Sequence, residues 1–406
     1  MPLDLEFVRG QFPAFSEPSL EGFAHFENAG GSFACRQVIE RLDRYYRQTK
    51  LQPNYDFAPS RKAGEQMAGA RKRMAAWLNA LPEEVHFGPS TTQNTYVVAQ
   101  ALRGWLKPGD EIIVTNQDHE ANIGAWRRLE ADGMVLREWR VDPASGELDP
   151  ADLDQLLGEK TRVVAFTHCS NIVGSVNPVR DLADRIHAAG ALVFVDGVAF
   201  CPHGLPDFEQ LGADLYTFSL YKVYGPHLGV MVMRRALNEA LPNQGHFFNA
   251  GIPTARFTPA GPDHAQIAAT NGVIDYFEAV DAHHGGDGGA GAARRVNDLF
   301  RVQEQSLLQP LLDFISEHSN TRLLGKAVSE ARAPTVSFAV RGQTPAQLAS
   351  RLGKENIGVG VGHCYAYRLI EALGIDPSEG VLRTSLVHYT RDSDVRRLIE
   401  TLDTLL

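Results

Sequence analysis

Four polar side chains in this sequence each follow a short apolar run. His119 follows EIIVT, Asn171 follows RVVAF, Asp196 follows LVFV, and Lys222 follows LYTFS. An imidazole, an amide, a carboxylate and an amine can bind a ligand and move protons. Ligands of open α/β sheets bind at the carboxyl ends of the strands. If these runs are strands of one sheet, the four side chains meet in one crevice.

These four groups match the needs of pyridoxal 5'-phosphate. A lysine can form a Schiff base, a carboxylate can pair with a pyridinium nitrogen, and an imidazole can lie on a ring face. Taken singly, His119 is also explained as a loop residue, Asn171 as a turn former and Asp196 as a helix N-cap. As a set, they predict this cofactor.

The cofactor also needs a site for its phosphate. In GPSTTQNTYVVAQAL, Ser90, Thr91 and Thr92 lie where an apolar helix begins, so hydroxyls and free backbone N–H groups converge there. The run alone is equally explained as a helix N-cap. Together with Lys222 it predicts a phosphate site.

The pattern of apolar runs predicts an α/β fold. Continuous apolar runs at 111–115, 162–166, 192–195 and 229–233 alternate with helical segments such as GEQMAGARKRMAAWLNAL. Such runs are typical of strands buried on both faces of a mostly parallel sheet. Beyond about residue 270 the sequence changes to a glycine-rich stretch, predicted to be a turn or linker, and then to a smaller α+β region. We therefore predict a large domain at 15–270 and a small domain formed by 1–14 and 271–406.

Composition excludes several classes of function. The chain has 406 residues, a formal net charge of -10 and no basic block, which argues against a nucleic-acid partner. Its N-terminus lacks the pattern of a signal peptide and no apolar run reaches membrane-spanning length, so we expect a cytoplasmic protein. The cysteines are far apart, which argues against disulfides and a zinc site: Cys35, Cys169, Cys201 and Cys364.

The ordered motifs STT, DHEAN, HCSN, VDG and SLYKVYGPHLG resemble those of the class V aminotransferase family of fold-type I pyridoxal phosphate enzymes, especially cysteine desulfurases and desulfurase-like proteins. The resemblance extends from FENAGG to VLRTSLVHYTRDSDV. It implies that Lys222 forms the internal aldimine and moves the α-proton, that Asp196 pairs with the pyridine nitrogen, and that His119 stacks on the ring. It further implies that the cofactor is held by Ser90, Thr91, Thr92, Asn171, Ser219 and Tyr221.

The same resemblance implies where an amino acid substrate binds. Arg383 in VLRTSL falls at the position of the substrate α-carboxylate, and its planar fork suits that role, although a surface ion pair also explains an arginine there. Further candidate contacts, each also explained by packing, are Asn54, Tyr55, Ala29, Gly30 and His363.

The sequence departs from the desulfurase pattern where that family carries its nucleophilic cysteine. The segment reads GHCYA, so Tyr365 takes the nucleophile's place and Cys364 lies one residue early. A shift of one residue in extended chain turns a side chain to the opposite side. Cys364 therefore remains a candidate nucleophile that a flexible loop would have to reorient.

Other departures concern the cofactor and the subunit interface. Ala199 replaces a glutamine near the cofactor, and Gly360 replaces a second arginine. The segment at 256–265 lacks the threonine that family dimers donate to the neighbouring subunit, and Asp263 or His264 are candidate substitutes. A homodimer is still expected from the resemblance.

Three functions are compatible with the sequence. The first is a cysteine desulfurase-like enzyme that cleaves the C–S bond of cysteine or a related amino acid. The second is an aminotransferase, epimerase or β-elimination lyase that needs no cysteine nucleophile. The third is a non-catalytic binding protein, which the presence of Lys222, Asp196 and His119 disfavours.

Overall fold

The four apolar runs at 111–115, 162–166, 192–195 and 229–233 all form strands. The computed structural model describes residues 2–259 and 261–406. Its strands are β1 (Ala24–Phe26), β2 (Val85–Gly88), β3 (Glu111–Thr115), β4 (Val135–Trp139), β5 (Thr161–Thr167), β6 (Leu192–Asp196), β7 (Leu215–Ser219), β8 (Gly229–Met233), β9 (Thr321–Leu323), β10 (Thr335–Val340), β11 (Ile357–Gly362) and β12 (Val381–Ser385).

Helices connect and flank these strands. They are α1 (Leu5–Arg9), α2 (Arg36–Gln48), α3 (Ala58–Leu78), α4 (Thr91–Arg103), α5 (Gly124–Arg127), α6 (Pro150–Leu156), α7 (Val179–Ala188), α8 (Phe208–Leu211), α9 (Arg235–Ala240), α10 (His264–Ala269), α11 (Asn271–His283), α12 (Ala292–Glu317), α13 (Pro345–Lys354), α14 (Tyr367–Ala372) and α15 (Asp392–Leu405).

The larger sheet has seven strands in the order β2-β8-β7-β6-β5-β3-β4. The pairs from β7 through β6, β5 and β3 to β4 are parallel, and β8 is antiparallel to both of its neighbours. The prediction of a mostly parallel sheet is confirmed. Its carboxyl ends lie at one edge, where the predicted chemical groups follow the strands.

Helices cover this sheet on both faces. Along β3, the side chains of Ile112 and Val114 pack in one apolar cluster and that of Ile113 packs in another. All three are fully buried. Alternate residues of a strand point to opposite faces, so both faces are in contact with apolar core. This burial explains why the strands are continuous apolar runs rather than alternating patterns.

A second sheet has the order β1-β11-β12-β10-β9. Its apolar face packs against α12, α13 and α15 through residues such as Leu311, Leu352 and Leu398. Strand β1 pairs in parallel with β11, although most of the sequence lies between the two strands. Residues 24–26 thus join the small sheet although the predicted large domain begins at 15. The division of the remaining residues stays a prediction.

Within the described ranges, we find no helix with the length and apolar character required to span a bilayer.

Candidate active site

The carboxyl edge of the large sheet encloses a cavity of about 460 Å³. Strands β3, β5, β6 and β7 each contribute one of the four predicted side chains to its wall or its floor. The structure thus brings together Ser90, Thr91, Thr92, His119, Asn171, Asp196, Ser219, Tyr221 and Lys222.

Lys222 ends a short 3-10 turn, Leu220–Lys222, directly after β7. Ser32 fixes this turn, because its backbone N–H and its hydroxyl both donate to the carbonyl oxygen of Tyr221, at 3.0 and 3.2 Å. The Lys222 side chain is buried. Burial, together with the positive charge of Arg383, lowers the pKa of Lys222 to about 8. A substantial fraction of neutral amine is therefore present near physiological pH.

Asp196 is the last residue of β6 and lies beside Lys222 in the cavity. Its Oδ1 accepts a hydrogen bond from the backbone N–H of Val198 at 2.8 Å. Burial raises the pKa of Asp196 to about 6, and the positive charge of Lys222 acts in the opposite direction. A buried carboxylate with so few donors is stabilised by a cation, which is what a pyridinium nitrogen supplies.

His119 precedes a 3-10 turn that follows β3. Its Nδ1 accepts a hydrogen bond from the Ala121 N–H at 3.0 Å, so the ring hydrogen of the neutral form is on Nε2. Burial and the charges of Lys222 and Arg383 lower the pKa of His119 to about 3. The ring is therefore neutral at pH 7 and can lie against another aromatic ring without charge repulsion.

The neighbouring Asp118 positions this turn, a role that sequence reasoning missed. Its carboxyl group accepts from Asn122 Nδ2 at 2.7 Å and from the Thr115 hydroxyl. Burial raises the pKa of Asp118 to about 8, with the charge of Asp196 adding to the effect. The sequence gives one signal for this residue, because it precedes His119 at the end of a buried strand.

The predicted phosphate site lies at the N-terminus of α4. The hydroxyl oxygens of Thr91 and Ser219 are 2.7 Å apart, and both residues are buried. Ser90 caps the helix by accepting from Gln93 N–H at 3.1 Å, and the exposed Thr92 completes the wall. The free N–H groups of a 13-residue helix favour an anion at this point.

Close packing shapes the cavity next to this site. A Cβ placed on Gly229 would lie 2.4 Å from the carbonyl carbon of Ser90, so only glycine allows β8 to approach the start of α4. The ring of Tyr221 stacks on that of His227 with centroids 4.7 Å apart. His227 lines the cavity and was not predicted. Its position in the GPHLG segment after Lys222 was the available signal.

Arg383 lies in the centre of β12 and is buried. Its Nη1 donates to the carbonyl oxygen of Asn171 at 3.2 Å, and its Nη2 donates to Oε1 of Glu27 at 2.5 Å. The Asn171 amide in turn donates to the carbonyl oxygen of Cys364 at 2.9 Å. Asn171 therefore links the large sheet to the loop that follows β11. The ion pair with Glu27 was not predicted.

The loop after β11 places Tyr365 at the cavity. Cys364 and Tyr365 have positive φ angles of 46° and 60°, which is unusual for residues other than glycine. Glu120 N–H donates to the Tyr365 carbonyl at 2.8 Å, and the Tyr365 ring lies 5.2 Å from that of His119. The side chain of Tyr365 lines the cavity and remains largely exposed.

Cys364 lies behind this tyrosine. Its side chain packs against the core of the large domain, and burial raises the pKa of its thiol. His363 accepts a hydrogen bond from Tyr365 N–H at 3.0 Å and so stabilises the turn itself. A nucleophilic role for Cys364 requires this loop to rearrange.

The remaining candidate substrate contacts lie outside the cavity wall formed by the described residues. Asn54 and Tyr55 are in the exposed loop before α3, where the Asn54 side chain packs over Gly64. Ala29 N–H donates to the Ser385 hydroxyl at 2.7 Å, and Gly30 packs against Glu27.

Comparison with known proteins shows the family to which this chain belongs. The model of the family "Aminotransferase class-V" matches residues 24–284 and 297–398. The chain is similar to the aminotransferase-like protein FGM3 of Gibberella zeae, with 34% identity over 99% of this chain and 98% of that protein. It is 30% identical to a cysteine desulfurase of Serratia proteamaculans, over 98% of this chain and 97% of that protein. The chain belongs to the class V aminotransferase family.

Solved structures agree on the fold. A cysteine desulfurase from Thermococcus onnurineus in its apo form covers 100% of this chain with a TM-score of 0.87 and 24% identity, and 98% of that protein is matched. The cysteine desulfurase CsdA of Escherichia coli has a TM-score of 0.83, with the same identity and coverage. The predicted fold-type I architecture is confirmed.

Enzymes of this family depend on pyridoxal 5'-phosphate, and the predicted cofactor and enzyme class are confirmed for this chain. The donor set of the cavity fits that group. A buried amine, a buried carboxylate that forms no ion pair among the described residues, and a hydroxyl pair at a helix N-terminus lie in one wall. These are complementary to an aldehyde, a pyridinium nitrogen and a phosphate.

The lowered pKa of Lys222 predicts a stability effect in the cofactor-free protein. Between pH 8 and 10.5, Lys222 of the unfolded chain binds a proton that Lys222 of the folded chain has lost. The free energy of unfolding therefore rises with pH in this window, and the buried charge destabilises the folded protein fully below pH 8. Lys222→Met should raise the free energy of unfolding at pH 7 by roughly 3 kcal/mol, from the difference between 10.5 and about 8. The gain should vanish towards pH 10.5. Denaturant titrations across this range measure it, with the exposed Lys160→Met as control. An equal gain at all pH values would contradict the charge argument.

Proposed function

We propose that this enzyme cleaves the carbon–sulfur bond of cysteine or a related amino acid. The observation that carries the proposal is the proximity of Arg383 to Lys222 in the cavity wall, because the positive charge of the arginine contributes to the lowered pKa of the lysine. An α-amino acid presents a carboxylate for the guanidinium and an acidic α-proton for the amine. The cysteine desulfurases among its relatives support a sulfur-bearing side chain.

The residues of this chain have distinct roles in the proposal. Pyridoxal phosphate supplies an electron sink for the bond that breaks at the α-carbon. Lys222 attaches the cofactor and then moves the α-proton with its neutral amine. Asp196 would pair as a carboxylate with the ring nitrogen, and His119 would present a neutral ring face to the cofactor. Thr91 and Ser219 hold the phosphate by their paired hydroxyls.

Two outcomes of C–S cleavage differ in their atom balance. With a protein thiol as sulfur acceptor, cysteine gives alanine and a protein persulfide, and an added thiol then releases sulfide. In β-elimination, cysteine and water give pyruvate, ammonia and hydrogen sulfide, and no protein thiol takes part. Tyr365 lies in the cavity wall, and Cys364 packs against the core behind it. This arrangement supports a second candidate function, a reaction that needs no protein nucleophile. Transamination or epimerisation of another amino acid belongs to the same candidate class.

Product analysis tests these proposals. The holoenzyme is incubated with L-cysteine and a reductant, and alanine, pyruvate and sulfide are quantified. We expect sulfide from the wild-type enzyme, because in the proposal Arg383 binds the carboxylate of cysteine and Lys222 moves its α-proton. The variants Cys364→Ala and Tyr365→Phe form a matched pair in the same loop.

Each outcome has a definite meaning. Alanine production that Cys364→Ala abolishes and Tyr365→Phe preserves identifies Cys364 as the sulfur acceptor. Pyruvate production unchanged in Cys364→Ala supports elimination. Absence of sulfide from a cofactor-loaded enzyme rejects C–S cleavage of cysteine and leaves the second candidate class.

We also propose that the chain acts as a homodimer. Large apolar side chains remain exposed around the loop between α9 and α10, where Phe247, Phe248 and Ile252 are 87%, 67% and 50% exposed. Clustered exposed apolar residues are typical of protein–protein interfaces. A cytoplasmic location remains a prediction from the sequence.

A further inference from the structure

Glu27, which follows β1, places its carboxylate on Arg383. Oε1 of Glu27 lies 2.5 Å from Nη2 of the arginine. The Arg383 side chain is 5% exposed and that of Glu27 is 31% exposed. The arginine is thus fixed in the small sheet, whereas its partner retains access to solvent. This ion pair occupies the group that the proposed function assigns to the substrate carboxylate.

Glu27 uses only half of the available guanidinium edge. Nη1 of Arg383 donates to Asn171. Nε is buried and has no hydrogen-bond partner among the described residues. Nε and Nη2 form one edge of the planar guanidinium group, and a carboxylate can bind this edge with two parallel hydrogen bonds. A carboxylate that takes both nitrogens forms one hydrogen bond more than Glu27 does, and satisfies a buried donor that is now unpaired.

Two glycines leave room for a carboxylate at this edge. A Cβ on Gly30 would lie 1.9 Å from Oε2 of Glu27. A Cβ on Gly360 would lie 2.9 Å from Oε1 of Glu27 and 3.3 Å from Nε of Arg383. Any larger side chain at either position would collide with the carboxylate. The slot between Gly30, Gly360 and Arg383 therefore has the size and the charge of a carboxylate site.

The backbone of Glu27 is fixed independently of this ion pair. Its carbonyl oxygen accepts from Gly30 N–H at 3.0 Å and from Gly31 N–H at 3.3 Å, and the residue forms a bridge to Ser385 in β12. Rotation of the side chain alone would clear the slot. The backbone and the small sheet remain in place when that happens.

We propose that Glu27 is an internal competitor that occupies the carboxylate site of Arg383 and is displaced by the α-carboxylate of the substrate. This inference rests on the proposed substrate-binding role of Arg383. The exchange replaces one negative charge by another, so the field at Lys222, to which both Arg383 and Glu27 contribute, is preserved. Glu27 thereby selects for ligands whose carboxylate binds with two hydrogen bonds over weaker, singly bonded anions.

Binding of an unreactive carboxylate tests the proposal. The probe is 3-mercaptopropionate, which has the thiol and the carboxylate of cysteine but no amino group to react with the cofactor. Its Kd for the holoenzyme is measured by titration calorimetry. Glu27→Gln removes the competing charge and retains the side-chain shape, so the probe should bind roughly five- to tenfold more tightly. The control Glu278→Gln breaks a comparable ion pair with Arg73 elsewhere and should leave Kd unchanged.

An unchanged or weaker Kd in a Glu27→Gln variant with wild-type thermal stability would overturn the inference. The double variant Glu27→Gln with Arg383→Lys should lose the gain, because lysine has no planar fork. A gain retained in that double variant would equally overturn it. Tighter binding without sulfide production would reject C–S cleavage and leave the inference standing. Sulfide production with an unchanged Kd in Glu27→Gln would support C–S cleavage and overturn the inference about Glu27.

Discussion

Lys222→Ala is expected to reduce turnover by at least about a thousandfold, because the variant would lack both the proposed covalent attachment point and the proposed general base. Ser32 fixes the turn that carries Lys222, so a shift of the backbone cannot compensate for the lost side chain. In the described part of the chain, Lys222 is the lysine in the cavity wall. Steady-state rates of product formation measure the effect.

A chemical readout separates this role from a structural one. Borohydride reduction of the wild-type holoenzyme should fix the cofactor on the peptide that contains Lys222, as detected by mass spectrometry, and should fix nothing on the variant. Added methylamine should restore part of the activity by acting as a small base. The exposed Lys160→Ala serves as control and should retain full turnover. Substantial turnover in Lys222→Ala without an added amine would reject the assignment.

The sequence predicted much of the large sheet because the strands β3, β5, β6, β7 and β8 are buried on both faces. The run at 111–115 and that at 229–233 match β3 and β8, and two further runs extend by one or two residues to β5 and β6. Burial on both faces requires apolar residues at consecutive positions, a pattern visible without knowledge of the fold. The location of polar residues after these strands then identified one edge of the sheet.

The small sheet was harder to predict because its pairing is long-range. Strand β1 has three residues and joins β11, more than 300 residues later. Neither strand has an apolar run long enough to stand out. The ion pair between Glu27 and Arg383 depends on this pairing, and no local pattern in FENAGG distinguishes Glu27 from a surface glutamate. A contact between distant segments leaves no periodicity in either of them.

Loop geometry accounts for the other differences. The family resemblance placed Tyr365 at the nucleophile's position, but the side-chain directions of Cys364 and Tyr365 follow from two consecutive positive φ angles that their residue types do not favour. Asn54 also has a positive φ, of 71°, and its side chain is packed locally over Gly64. The loop at Cys364 and Tyr365 is held by residues distant in sequence, because Asn171 and Glu120 donate hydrogen bonds to its carbonyl oxygens.

Arg383→Ala is expected to lower kcat/KM for an amino acid substrate by at least about a hundredfold, mainly through KM. The variant would remove the two charge-assisted hydrogen bonds that we propose for the substrate carboxylate, each worth roughly 1.5–3 kcal/mol. Truncating only the arginine would leave Glu27 without its partner, so the change is best made together with Glu27→Gln. Initial rates over a range of substrate concentrations give kcat and KM separately.

A substrate without a carboxylate provides the decisive comparison for Arg383. The wild-type enzyme should prefer cysteine over cysteamine, its decarboxylated analogue, by the net value of the arginine–carboxylate interaction after Glu27 is displaced. In the double variant this preference should largely disappear, because the loss affects cysteine alone. Arg383→Lys should recover little of it, since a point charge does not reproduce the planar fork. Equal losses for both substrates would mean that Arg383 acts through the small sheet, where it supports Asn171, and does not bind the carboxylate.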